Sequence, residues 1–227
     1  CGGNNIGIEQ AKGEFVIILN PDTIVQPDCI RELVSAYQEI GEGLFQPKIL
    51  SLNEENIIQS TGNMIHIFGF GFARDKGQRD NKEKNDIEEI SYASGTCMFL
   101  PKKIIDDIGY FDKELFAYHE ELDFGWRARL YGYKSFYVPD TIIHHYGSAG
   151  WGWSGKKFYF LERNRWFVLL KNYSLKTITR LFPSLLFLEI IMLGFFIKKG
   201  LLVKKIWSYG SIIRSFNHIR KNRKEIQ

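Results

Sequence analysis

Cysteine is scarce in this 227-residue chain. Cys1, Cys29 and Cys97 are odd in number and unrelated in spacing, so neither a disulfide framework nor a zinc site is implied, and a reducing compartment is favoured. No signal peptide precedes the first apolar run. The chain opens on Cys1 rather than methionine and runs straight into "CGGNNIGIEQAKGEF", which reads as the middle of a domain with its true N-terminus upstream. Acid is nearly absent from the other end. From Lys198 onward there are nine Lys or Arg and a single acid, Glu225, although the net charge of the chain is only +4. The first two-thirds is therefore near neutral or slightly acidic. A basic tail suits an anionic membrane surface or nucleic acid, and a merely solvated tail has the same composition.

The length suffices for one sizeable domain, or one domain with an appendage. Hydrophobic residues make up an ordinary 44%, while aromatics are high at 15%. Asn4 or Asn5 can cap a short helix, "NIGIEQA", closed at Lys12-Gly13. "EFVIILN" is a continuous, β-branched apolar run; it predicts a strand buried on both faces and, with it, a parallel sheet. "QPDCIRELVSAYQEI" predicts a helix with Ile30, Leu33, Val34 and Tyr37 on its apolar stripe. "GLFQPKIL" reads as a second strand or edge. Residues 73–90 carry eleven charges in eighteen positions, the mark of a mobile surface loop. "ISYASGTCMFLP" returns to strand character, and "KKIIDDIG" is a short helix. "FAYHEELDFGWRARLYGYK" predicts a helix with Leu122, Trp126, Leu130 and Tyr133 on its apolar face, stopped at Gly132. A strand "SFYVP" and a helix through "KKFYFLERNRWFVLLKNYS" follow. Strands alternating with helices argue for a layered α/β domain over residues 1–175.

Residues 176–227 read as a hydrophobic and amphipathic helical tail. Leu181–Ile197 holds seventeen residues with one charge. A helix starting at Pro183 would be only about 22 Å long, against roughly 30 Å of hydrocarbon, too short to span. "LLVKKIWSYGSIIRSF" places Leu202, Ile206, Tyr209, Ile213 and Phe216 on one stripe, with Lys204, Lys205 and Ser211 elsewhere. That is the pattern of a helix in the plane of a membrane interface, or of one packed on its own domain.

Three constellations can carry chemistry. In open α/β sheets ligands bind beyond the carboxyl ends of strands, where "NPDT" delivers Asp22 with its backbone fixed by Pro21. The carboxylate can share Mg²⁺ or Mn²⁺ with phosphate oxygens, or simply close a turn. "HEELD" places three acids at the start of a helix, where the helix dipole also favours them. Asp123 has Arg127 four residues on, an ordinary salt-bridge spacing. Glu120 and Glu121 lack such a partner, and crowded carboxylates raise one another's pKa, which suits one of them to act as a base. "IIHHYGSAGWGWSG" ends a strand with His144 and His145, then gives a glycine-rich stretch with Trp151 and Trp153. These fit a late metal ligand and a lid with aromatic faces for sugars or bases, or else structural histidines and a turn anchored by tryptophans.

In this order, "GGNNIGIEQAKGEFVIILNPDT", "SGTCMFLPKKIIDDIGYFDKELFAYHEELDFGWRARLYGYK" and "VPDTIIHHYGSAG" resemble family 2 glycosyltransferases, particularly the rhamnosyltransferase-like branch, over about residues 1–175. The resemblance implies a glycosyltransferase A-type fold, lacking here the first strand and helix that hold the nucleotide base. It also implies a nucleotide-sugar donor, a glycan or lipid-linked saccharide acceptor, and an inverting mechanism. By the same resemblance Asp22 is the metal ligand and His144 a second one. Glu121 falls on the usual base, with Glu120 and Asp123 beside it in the acidic motif. Asn20 stands where many relatives carry the first Asp of Asp-x-Asp, which lowers the expected metal affinity. Ser94, Gly95 and Thr96 match the turn that shapes the acceptor side. Arg163 and Arg165 in "LERNRW" can steady a phosphate or be exposed helix charges. The expected setting is the cytoplasmic face of the cell membrane, held at an anionic surface by the tail, with no nucleic-acid partner. Two rivals remain open: a non-catalytic carbohydrate- or nucleotide-binding fragment, and a membrane-associated nucleotide-binding protein that transfers nothing.

Overall fold

The apolar run before Asp22 is strand β1 (Phe15–Leu19), which follows helix α1 (Gly2–Gln10) in the computed structural model; residues 1–81, 86–147 and 154–227 are described. Val16 and Ile18 enter one core, while Phe15 and Ile17 pack against a second. Next come β2 (Thr23–Val25), α2 (Cys29–Ile40), β3 (Gly43–Ser51) and the short strands β4 (Ile58–Ser60), β5 (Asn63–Ile65) and β6 (Gly71–Ala73). They are followed by β7 (Glu88–Ile90), β8 (Cys97–Pro101), α3 (Lys102–Ile108), α4 (Glu120–Leu130) and β9 (Lys134–His145).

The main sheet runs β1-β8-β3-β9-β2, with β4 beside β3 and β7 beside β9. Among the described residues only the β3–β9 pairing is parallel; β1–β8, β3–β8 and β2–β9 are antiparallel. The expectation of a parallel sheet is thus corrected to a mixed one. Continuous hydrophobicity in β1 reports that both faces are covered, not which way its neighbour runs. Ile8 of α1, Ile104 and Ile105 of α3, and Phe124 and Ala128 of α4 fill one side. Cys29, Leu33 and Ala36 of α2 fill the other. Two sequence expectations shift at helix surfaces. Ile30 and Leu130 are exposed, and Ala36 and Phe124 take the inward places. In the described parts of the charged stretch after β6, residues 74–81 and 86–90, several charges find partners. Lys48 and Asp80 form a buried ion pair at 3.0 Å, Arg74 pairs with Glu88, and β7 joins the sheet through β9.

The first unit comprises Cys1–His66, Gly71–Phe116 and the chain from Glu120 through β9. The second comprises Ile67–Phe70, Ala117–His119 and the helices α5 (Gly155–Asn172), α6 (Leu175–Lys198), α7 (Leu202–Arg214) and α8 (Phe216–Ile226). It therefore takes in α5 as well as the tail. Helix α6 begins at a cap, Ser174 accepting from the Thr177 amide, and stays helical through Pro183. Its 24 residues extend about 36 Å, longer than the 22 Å counted from Pro183, because the helix begins at Leu175. By length and composition α6 is apolar enough to cross a membrane.

The helical unit exposes apolar side chains and buries a cluster of charges. Arg165 donates to Glu162 and Glu189, and Lys205, with no exposed surface, joins the same two carboxylates. Tyr209, placed by the sequence on the apolar stripe, turns its hydroxyl to Glu189. Meanwhile Ile206, Trp207, Ile213 and Phe216 face outward, Ile213 with 75% of its surface exposed.

Candidate active site

β1 ends at Leu19 and the chain turns through Asn20-Pro21-Asp22 into β2. The turn is held from within by Thr23, whose hydroxyl donates to the Asn20 carbonyl at 2.7 Å. It is held from outside by the Asp22 carbonyl, which accepts from the Tyr146 amide at 3.0 Å. The antiparallel β2–β9 register sets Thr23 opposite His145 and Ile24 opposite His144. In consequence His145, not His144, is the histidine beside the carboxylate: its Nε2 lies 3.3 Å from Asp22 Oδ1 and 3.4 Å from Asn20 Nδ2. His144 is not brought to Asp22 by any described contact.

The 94–96 turn is tied to the same strand end. The Asn20 amide donates to the Thr96 carbonyl at 3.0 Å, and the Thr96 amide to the Ser94 hydroxyl at 3.2 Å. Gln46, wholly buried on β3, accepts from the Ser94 amide at 2.7 Å while its Nε2 donates to Ser60. Gly95 at the tip lies against Glu121, within van der Waals contact of that side chain for any added Cβ. Asp22, Asn20, the 94–96 turn and Glu121 thus form one connected series within the first unit.

Glu120 and Glu121 open α4. Burial, and then the neighbouring Glu120 carboxylate, push Glu121 up to about 8; burial also raises Glu120. Among the described residues, Glu120 Oε2 is buried without a hydrogen-bond partner. The chain enters this helix under strain: Phe116, Tyr118 and His119 all have left-handed φ of 60°, 66° and 68°. Such conformations cost roughly 1–3 kcal/mol each and cluster at functional sites. Within the helical unit, Asn164 Nδ2 holds that strained stretch by donating to the Ala117 and Tyr118 carbonyls at 2.8 and 2.6 Å. Burial, and secondarily Arg165, lower His119 to about 4, so its ring is neutral.

Asp123 is fully buried and its carboxylate accepts from Arg127 Nε at 3.0 Å, while Arg127 also donates to the Ile108 and Tyr110 carbonyls. Through this pair it braces α4. Arg165 is taken up by Glu162, Glu189 and the Phe68 carbonyl, and Arg163 is buried with Nε on Asn164 Oδ1 and its guanidinium over Phe160 and Phe167. Both stand in the helical unit, neither as an exposed helix charge. Trp151 and Trp153 lie outside the described residues. The sequence reading missed Gln46, Asn164 and the choice of His145, because each depends on contacts between residues far apart in the chain.

The donor set can be tested against a divalent cation. Among the described residues no three His, Cys, Asp or Glu groups converge into a closed metal site. Asp22 and His145 supply one oxygen and one nitrogen. That fits Mg²⁺ or Mn²⁺, which usually take only a carboxylate or two from protein and the rest from phosphate and water.

The family model for glycosyl transferase family group 2 matches residues 15–212, and the chain belongs to this family. It is 31% identical over 135 residues to the low-salt glycan biosynthesis hexosyltransferase Agl10 of Haloferax volcanii, covering 56% of this chain and 42% of that protein. It is 24% identical over 144 residues to the N-acetylglucosaminyl-diphospho-decaprenol L-rhamnosyltransferase of Mycobacterium tuberculosis, covering 58% of this chain and 47% of that one. The chain spans less than half the length of these relatives. Among solved structures, that of GalNAc-T7 with UDP, GalNAc and Mn²⁺ superposes with a TM-score of 0.58 at 17% identity, over 75% of this chain and 34% of the other. The fold is the glycosyltransferase A type, with the helical region at its C-terminal side.

Proposed function

We propose that this protein is an inverting glycosyltransferase that moves a sugar from a nucleotide-diphospho-sugar to a hydroxyl of a glycan or lipid-linked saccharide in cell-surface polysaccharide synthesis. The observation that carries the reading is the raised carboxyl of Glu121 beside Gly95, in a turn bonded to the strand end that bears Asp22. A base tuned toward neutral pH is what proton removal from an alcohol needs. Glu121 takes the acceptor's proton as the acceptor oxygen forms its bond to the anomeric carbon. The bond from that carbon to the diphosphate breaks in the same displacement, inverting the centre, and the nucleoside diphosphate leaves. Asp22 and His145 would hold Mg²⁺ or Mn²⁺, which offsets the charge gathering on the leaving diphosphate. The 94–96 turn, fixed by Gln46 and Asn20, limits where the acceptor hydroxyl can approach. The names of the two relatives support transfer of a hexose or rhamnose and a lipid-diphosphate acceptor.

The helical unit supports attachment at the cytoplasmic membrane face. Its exposed residues include Ile206, Trp207, Ile213 and Phe216, with exposed Arg214 and Arg220 for anionic headgroups. The deciding experiment is a panel of nucleotide sugars with Mn²⁺ or Mg²⁺ and membrane acceptors, run on the protein and on Glu121→Gln. Transfer by the parent and none by the variant is expected. Donor binding with no turnover on any acceptor would instead establish a non-catalytic nucleotide-binding protein.

A further inference from the structure

Gln59 lies just beyond the start of β4, outside every motif discussed above, yet both ends of its amide meet His145. Nε2 donates to the His145 backbone carbonyl at 2.8 Å, and Oε1 lies 2.7 Å from the imidazole Nδ1. A carbonyl oxygen can only accept, so the amide cannot be turned over without setting two oxygens against each other. Oε1 therefore faces Nδ1, and Nδ1 must carry the hydrogen. On the opposite side of the ring Nε2 meets both a donor, Asn20 Nδ2 at 3.4 Å, and an acceptor, Asp22 Oδ1 at 3.3 Å, so the Gln59 contact is what assigns the hydrogen to Nδ1. Gly147 closes over the Gln59 amide: a Cβ there would be 2.9 Å from Nε2 and 3.1 Å from Oε1, and its φ of 66° disfavours any other residue. The side chain of Gln59 is fixed by β9 beneath it and by Gly147 above.

We propose that Gln59 is a positioning residue that locks His145 in the Nδ1–H tautomer, so that the Nε2 lone pair stays aimed beside Asp22 for a divalent cation. The proposal rests on the reading of Asp22 and His145 as the cation end of the site. Outer partners of metal-binding histidines act in this way, fixing tautomer and ring orientation.

The test uses the intact protein with ¹⁵N-labelled histidine and two readouts. Long-range ¹H–¹⁵N correlation spectra without metal should show His145 as the Nδ1–H tautomer, and Gln59→Leu should convert it to a mixture. Electron paramagnetic resonance with Mn²⁺ alone should show binding weakened about 10- to 100-fold in Gln59→Leu. Gln59→Met, close to glutamine in length but with no acceptor for Nδ1, should lose the tautomer preference and the affinity as Gln59→Leu does. Near-UV circular dichroism confirms that each variant is folded. A Gln59→Leu protein with unchanged tautomer and unchanged Mn²⁺ binding overturns the proposal. So does a methionine variant that keeps both, since bulk rather than the acceptor would then be what matters. If the tautomer responds as stated but the parent itself binds no Mn²⁺, the role of Gln59 on the ring stands and the cation reading of the site falls.

Discussion

Gly95 rests directly on Glu121: a Cβ built at 95 would be 3.7 Å from the glutamate Cβ and 3.9 Å from its carboxyl carbon. This is ordinary contact, so alanine fits, whereas a branched side chain would occupy the space before the carboxyl. Gly95→Val should lower kcat/KM for the acceptor on the order of 100-fold, as misplacement by an ångström does. Donor affinity and melting temperature should hold; a parallel loss of donor binding in calorimetry would place Gly95 elsewhere in the site.

Removing the base itself is a stronger perturbation. Glu121→Gln should cut kcat by about 10²- to 10⁴-fold with donor binding retained. In the parent, the ionised form is lost as pH falls through about 8, so kcat/KM should decline on the acid side of that value. A variant with full turnover would remove Glu121 from the mechanism.

The same raised carboxyl links stability to pH. Its folded value lies above the ordinary 4.5, so its contribution favours folding fully below 4.5 and is lost as pH rises through about 8. Glu121→Gln has no such dependence. In urea unfolding at pH 4 and at pH 9, the variant should gain on the parent toward the alkaline end. An identical difference at both values contradicts the burial of this group.

The tandem histidines separate cleanly. His145→Ala should weaken Mn²⁺ binding and lower transfer. His144→Ala, paired in register with Ile24 rather than Thr23, should leave Mn²⁺ affinity within a few-fold of the parent. Reversal of that order, read by electron paramagnetic resonance, would restore the ligand expected from the sequence resemblance.

On the helical unit, outward and inward residues should behave oppositely. Ile206→Asp with Ile213→Asp should release the protein from anionic vesicles in a sedimentation assay while leaving it folded. Lys205→Met should leave binding surfaces intact but unfold the unit readily, because stranding one side of a buried charge cluster costs about 3–5 kcal/mol. Vesicle binding that ignores the aspartates would argue against an apolar membrane contact.

Much of this was legible locally. Asp22, fixed by Pro21 after an apolar strand, and the glutamates opening α4 are short-range patterns, and their elements formed where expected. The direction of the strands was not legible, since hydrophobicity records cover and not polarity of pairing. Nor was α6, because Pro183 reads as a helix start although a capped first turn lies upstream of it. Gln59 and His145 are separated by 86 positions, and no local pattern announces such a contact. The arginines of "LERNRW" could not be placed without seeing that Glu189 and Glu162 lie around one of them.

The pairing of β3 with β9 jumps from Pro47–Val138 to Lys48–Ile142, leaving Pro139, Asp140 and Thr141 unmatched. Three is an odd number, and strand side chains alternate sides one by one. Beyond that insertion Leu50 meets His144 and Ser51 meets His145, so the two imidazoles take opposite sides of β9 and His145 is the one beside Asp22. A doubled histidine thus offers an imidazole to either side of this strand.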